Sequence, residues 1–370
     1  MNNMIIGVGN AGTQIAKLAA TSKLLRGSKI YAIDSTTVSI DINSVSGVKF
    51  IPIISDDKTG SGRDRERGSD MFKYHMECGS FNDLMDDAMN AKTPVIIVTS
   101  AAGGTGSGST PQLFKMLTDA GVFTIPIIIL PALDDPMAYH MNTTDLFYEL
   151  GQIDPDLRYC TFRNPSHSMH YDGINRSVVN AIEVVFGLHY DHTSSDTIDE
   201  SDIDRAFSVP GRFVAASVEA ANVDELHKKI THSVLAEYQP AWDISEVADK
   251  MIVMAFSLTS MSATDSDYQL VFKDIKDRIP MTLDEYRNVK DDISGTCKAT
   301  AIIGGLPRPE LKSIESDFKT VNSLGVGLTQ SKRPDFMKSR KLTPTSRATA
   351  GTKQGSNNGG SKVSDVKWKK

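Results

Sequence analysis

The sequence predicts an α/β protein: a Rossmann-like nucleotide-binding domain on a parallel sheet, a long central helix, a second α+β domain and a disordered basic C-terminal tail. Three observations carry that reading. Near-continuous Val/Ile runs alternate with helical patterns over roughly the first 190 residues, as in a parallel sheet covered on both faces. Glycine-rich stretches follow three of those runs, where a strand hands over to a helix. The composition then shifts abruptly after Thr329.

Taken in order, the strand-like runs are MIIGV from Met4, KIYAID from Lys29, VKFIPI from Val48, PVIIVTS from Pro94, IPIIILPA from Ile125 and LRYCTF from Leu157. A helix over 174–190 follows, with apolar residues at 174, 178, 181, 182, 185 and 188 on one face. A second unit begins near Pro210. Its strands are RFVAASV, KMIVMAFSLT and CKATAIIGG, and its helices fall around 222–237, 264–278 and 309–323. The resulting division is 1–173, 174–209, 210–330 and the tail 331–370.

Composition bounds the function. Apolar and charged fractions of 40% and 23% belong to an ordinary globular chain. No apolar run reaches the roughly 18–20 residues that a bilayer span needs, so no membrane partner is expected. The start, MNNMIIGVGNAG, enters a strand without a basic n-region or cleavage site, and Cys78, Cys160 and Cys297 are widely spaced. Both features suit a reducing, cytoplasmic location. His167 and His170 read as solvated loop residues, and no metal site built from protein ligands is expected. The tail 331–370 carries eleven Lys/Arg against two Asp, about +9, which leaves 29 basic against 44 acidic residues, −15, on the rest. Rich in Gly, Ser, Thr and Lys and poor in aliphatics, it is expected to be disordered and to bind an anionic partner.

The glycine stretches point to phosphate. GVGNAG (Gly7, Gly9, Gly12) matches the dinucleotide fingerprint, with Asp34 closing the second strand where a ribose-binding acid belongs. TGSGRDRERG places Gly60, Gly62 and Gly68 after the third strand. SAAGGTGSGST runs from Ser100 to Thr110, and Gly103-x4-Gly108 followed by Ser-Thr has the outline of a P-loop without its lysine. Three such stretches at strand ends suit a nucleoside triphosphate gripped by backbone N–H groups, helix N-termini and a divalent cation. They suit the dinucleotide of a nicotinamide-dependent oxidoreductase, the further alternative, less well.

AGGTGSG (Ala102–Gly108) matches at every position the pattern [SAG]-G-G-T-G-[SA]-G of the tubulin/FtsZ superfamily, and GNAGTQIA resembles that family's first glycine loop. GSGRDRERG and LPALDDPMAYHMNT resemble its plasmid- and phage-encoded TubZ branch, and the likeness runs in order from Met4 to about Phe318. The resemblance implies a GTPase that polymerises into GTP-dependent dynamic filaments and segregates or positions plasmid or phage DNA, with GTP/GDP and Mg²⁺ as ligands. It implies phosphate-side contacts from Gly9, Asn10, Gly12, Gln14, Gly60, Gly62, Ala102, Gly103, Gly104, Thr105, Gly106, Ser107 and Gly108. A ribose contact would come from Asp135, and guanine contacts from Asn164 and Asn175. Arg63 and Arg65 read either as γ-phosphate sensors or as surface or interface charges.

The same resemblance implies that hydrolysis is completed by the neighbouring subunit, through Asp199 and Asp202 of TIDESDIDRAF, with Asp204 offering a competing register. By themselves these residues also read as a helix N-cap. The implied partners are further copies of this chain and, through the tail, a DNA-binding adaptor on centromere-like DNA. A PhuZ-like phage tubulin that centres replicating phage DNA is the alternative; that group resembles an acidic tail where this one is basic.

Overall fold

The computed structural model describes residues 3–36, 46–55, 59–166, 170–189, 200–235, 252–279, 282–291 and 295–306. The segment carrying Asp199, the expected helix over 309–323, His167 and the tail 331–370 lie outside the described residues. The first unit runs β1 (Met4–Val8), α1 (Gly9–Thr21), β2 (Lys29–Asp34), β3 (Val48–Pro52), α2 (Arg65–Glu77), α3 (Asn82–Met89) and β4 (Val95–Ser100). It continues with α4 (Gly104–Asp119), β5 (Thr124–Leu130), α5 (Met137–Ile153), β6 (Arg158–Arg163) and α6 (Asp172–Val185). Then come α7 (Glu200–Ser208), β7 (Gly211–Ala220), α8 (Val223–Leu235), β8 (Val253–Ser260), α9 (Asp265–Lys276), β9 (Asp284–Asp291) and β10 (Cys297–Leu306).

One ten-stranded sheet runs through both units in the order β3-β2-β1-β4-β5-β6-β7-β10-β8-β9. Its first seven strands are parallel. The units are joined by a short ladder, Arg158–Cys160 of β6 against Gly211–Phe213 of β7. Beyond it β10 runs antiparallel to β7 and β8, and β9 pairs parallel to β8. The inner runs read as strands bury nearly every residue because helices cover both faces; β1 is buried throughout, whereas the edge strand β3 is only partly covered. One face packs under α1, α6 and α7, with Ile15, Ile182 and Phe207 beside Phe213 and Ile302 of the second unit. The other packs under α2 to α5, with Phe72, Phe114 and Phe147. A third core lies under α8 and α9. Among the described residues no helix is long and apolar enough to cross a membrane.

The structure differs from the sequence reading in two elements. The central helix spans Asp172–Val185 and stops short of Tyr190, because Gly187 takes a left-handed φ of 71° and its N–H and that of Phe186 turn back to Val184 and Ile182. The strand β9, DEYRNVKD, was not expected at all. It is a charged edge strand, and its polarity hides the alternation that would announce it.

Candidate nucleotide-binding site

Strand order reverses between β1 and β4, whose partners on either side are β2 and β5. In an open α/β sheet the crevice beyond the carboxyl ends at such a point is where ligands bind. Here α1 leaves β1 and α4 follows β4, and the two helix starts meet: a Cβ built on Gly9 would stand 2.9 Å from Gly106 N. Gly9 also has φ 73°, which an L side chain would strain. Neither helix has a side-chain cap, since Val8 precedes α1 and Gly103 precedes α4. The first-turn N–H groups of both are therefore left for an outside acceptor, and an anion is favoured there.

The Gly103–Thr110 stretch is not a loop. From Gly104 onward it forms the first two turns of α4; Gly104 and Gly108 let α4 pack closely on α2 and the residues just before it, while Gly106 packs on Thr99, Ser100 and Val8. A Cβ on Gly104 would lie 2.6 Å from the backbone of Arg63 and Asp64, one on Gly68 2.5 Å from Gly104 O, and one on Gly108 would overlap the Arg65 carbonyl oxygen. Gly12 likewise lies flush on the Val98 carbonyl. Gly103 is different: nothing stands within 4 Å of its Cβ position, so this glycine faces open space.

The hydroxyls expected to meet phosphate are engaged inside the protein. Ser107 donates to the Gly103 carbonyl, Thr110 to Gly106 O at 2.7 Å and Ser109 to Gly68 O at 3.1 Å. Thr105 Oγ1 lies 2.6 Å from Ser35 Oγ and 2.8 Å from Ser61 Oγ, so one hydroxyl from α4 ties the end of β2 to the Gly60–Gly68 stretch. What this crevice offers an anion is main-chain N–H groups more than side-chain hydroxyls.

The Gly60–Gly68 stretch is held from several sides. Asp64 caps α2 by accepting from Glu66 N and Arg67 N, so this helix start already has an anionic partner. Gly62 and Arg63 both have positive φ, 60° and 68°. The Arg63 guanidinium lies 4.8 Å from the centre of the Tyr139 ring. Asn142 of α5, not among the expected site residues, donates to Arg63 O at 3.2 Å and Ala102 O at 3.1 Å, joining the two stretches. Arg65 is buried, pairs with Glu149 at 2.7 Å and donates to Ser107 O at 3.2 Å. That carbonyl needs an outside donor because residue 111, four positions on, is a proline without an N–H. Arg65 is thus not a surface charge: its guanidinium is engaged inside the subunit, where it repairs a helix.

Asn10 and Gln14 are exposed on the first turns of α1. Asp34 is buried at the end of β2 and accepts from Ser35 N at 2.7 Å. Gly60 packs on Thr36 and Ser35, beside Ser61. Asp135 folds back on its own turn, accepting Ala132 N at 2.7 Å. Asn164 follows β6, its N–H on Leu130 O at 3.0 Å, and Asn175 lies in the first turn of α6; both are half-buried.

Asp202 stands at the other pole. It is half-buried on α7, next to the exposed Asp204, and contributes to the field that raises the Tyr286 hydroxyl above its ordinary value; burial is the largest cause of that shift. The last residue of α7, Ser208, accepts Arg158 Nε at 2.8 Å, and Arg158 opens β6. The acidic helix therefore packs at the amino ends of the parallel strands, and the glycine stretches at their carboxyl ends. Even the short β6 separates them by roughly 17 Å.

No family model matches the chain. Among curated proteins it is similar to the tubulin-like protein CetZ2 of Haloferax volcanii, with 25% identity over 223 residues, 55% of this chain and 59% of that protein. The match thus spans less than two thirds of the relative's length. The fold is similar to a GTPγS-bound CetZ2 protofilament from Haloferax volcanii, with TM-score 0.66 and 19% identity over 88% of this chain and 100% of that one. It is similar as well to TubZ of Clostridium botulinum phage c-st, with TM-score 0.63 and 14% identity over 88% and 99%. The chain has the tubulin/FtsZ fold. The likeness extends beyond TubZ to CetZ, which the sequence reading did not weigh.

Proposed function

We propose that this chain is a GTP-binding, self-assembling GTPase whose active site forms between stacked subunits, and that its filaments position or segregate plasmid or phage DNA. The observation that carries the reading is the opposition of the two poles. One pole offers a crevice of uncapped helix N-termini; the other offers Asp202, out of reach of its own crevice. Head-to-tail stacking brings them together, and a heterologous contact that does not close propagates as a filament. In that junction GTP rests its phosphates on the N–H groups of α1 and α4. The carboxylate of Asp202, with Asp199, accepts hydrogen bonds from water and orients it toward the terminal phosphate. Solved relatives in GTPγS-bound protofilament form support self-assembly.

Asn164 and Asn175 would read the guanine edge, each amide offering both a donor and an acceptor. Mg²⁺ would be held chiefly by the nucleotide's own phosphate oxygens and by water, with the exposed Gln14 of α1 able to reach it through water; bound there it would neutralise phosphate charge. The test is GTP-dependent light scattering and phosphate release, with ATP as control. Asn164→Ala should weaken GTP binding about ten-fold or more, as the loss of a good base contact does, with an unchanged melting curve. Equal assembly on ATP and GTP would remove the guanine assignment.

The DNA role rests on the tail, whose charge of about +9 suits an anionic complex of DNA and adaptor. A chain ending at Thr329 should still bind GTP but lose salt-sensitive co-sedimentation with that complex. Equal recruitment with and without the tail would place cargo binding elsewhere. The basic tail favours this reading over a PhuZ-like one.

A further inference from the structure

Glu183 is a buried carboxylate that the chemistry above does not use. It lies on α6, 9% exposed, among the apolar residues that face α1. Its Oε1 accepts the Ser22 hydroxyl, at the C-terminal cap of α1, at 2.5 Å. Its Oε2 stands 3.1 Å from Nε2 of His189, in the turn that ends α6. The Glu183 main-chain carbonyl accepts Leu188 N–H at 2.9 Å, so side chain and backbone of one residue hold the same turn. His189 donates from Nε2, while its Nδ1 is buried with no partner among the described residues. Half-buried Lys298 of β10 also faces the group, its ammonium held below the ordinary lysine value by burial. Burial would raise the Glu183 carboxyl, but the bonds from His189 and Ser22 and the nearby positive charge outweigh it and hold it below the usual range.

The position of this cluster is informative. Both α1 and α6 begin beside the candidate pocket, at Gly9 and next to Asn175, and both end here, about 20 Å away along a 13-residue helix. The acidic helix shares this core: Ile203, Ala206 and Phe207 of α7 lie in the same apolar cluster as Ile182, Val184 and Val185 at the end of α6. We propose that Glu183 is a positioning residue: by clamping the end of α1 to the turn after α6, it fixes where the acidic helix meets the next subunit's nucleotide. This rests on the function proposed above.

The test compares full-length wild type with Glu183→Gln and, because that variant disturbs both links, with Ser22→Ala, which removes one. GTP affinity, melting, pelletable polymer and turnover per polymerised subunit are measured on each. The expected result is GTP affinity within about two-fold of wild type and kcat per polymerised subunit down at least about ten-fold, with KM little changed, as misplacement of a distant catalytic group produces. Unchanged kcat in both variants, or a loss that merely follows the folded fraction, overturns the proposal. A wild-type chain that turns over no GTP overturns the parent reading instead, and this one with it.

Discussion

Gly108→Ala is expected to destabilise the protein by about 3 kcal/mol, the upper end for overpacking, and to abolish nucleotide binding in the fraction that still folds. One methyl group would overlap the carbonyl oxygen of Arg65, and Ser69 N lies 2.9 Å from the same point. Both are backbone atoms of α2, so no side chain can swing aside. The helices must separate, and α2 carries the Gly60–Gly68 stretch with it, breaking the contact between Ser61 and Thr105. Gly103→Ala is the control. Its φ of −80° and ψ of 161° suit any residue, and its Cβ would meet nothing within 4 Å. That variant should keep the wild-type denaturation midpoint to within about 0.5 kcal/mol, and any loss of nucleotide affinity would report on the open face itself. Urea denaturation of the pair decides the matter. Equal midpoints would mean that α4 and α2 do not pack as described.

The contrast between these two glycines marks how far the sequence could be read. Strands such as Val95–Ser100 and Thr124–Leu130 were legible because burial on both faces demands an unbroken apolar run. The crevice was legible because glycines cluster where strands end. Which glycine faces solvent and which faces a helix was not, because that depends on α2, whose contacts come from about forty residues earlier in the chain. Helical structure over Gly104–Thr110 was hidden for the same reason: glycine, serine and threonine are poor helix formers, and here tertiary packing overrides propensity. Arg65 was misread because its partner, the Ser107 carbonyl, exists only as a consequence of Pro111 in a helix. The end of α6 carried a readable signal in Gly187, masked by the apolar spacing that continues to Leu188. Glu183 and Ser22 are 161 residues apart and carry no local signal at all.

Asp202→Ala should bind GTP normally, form filaments that persist, and lose at least about 100-fold in turnover, the lower range for removal of a group that handles the attacking water. Stability should hardly change. Ile203, Ala206 and Phe207 supply the buried face of α7, whereas Asp202 is only half-buried. The sharper expectation concerns mixtures. A subunit of this variant keeps its own pocket and lacks only what it gives to its neighbour; Asn164→Ala keeps Asp202 and binds GTP poorly. At a GTP concentration that fills the first and not the second, each protein alone is nearly silent. Mixed, a junction that sets the pocket of Asp202→Ala against the acidic helix of Asn164→Ala is complete, and turnover should reappear in proportion to such junctions. A site complete within one subunit predicts no recovery. It also predicts turnover linear in protein concentration down to levels at which nothing polymerises, whereas a shared site requires turnover to rise more steeply than concentration as junctions form. Silence in the mixture together with linear turnover would place the catalytic carboxylate within the same subunit, which the roughly 17 Å between the two poles makes physically inaccessible to Asp202.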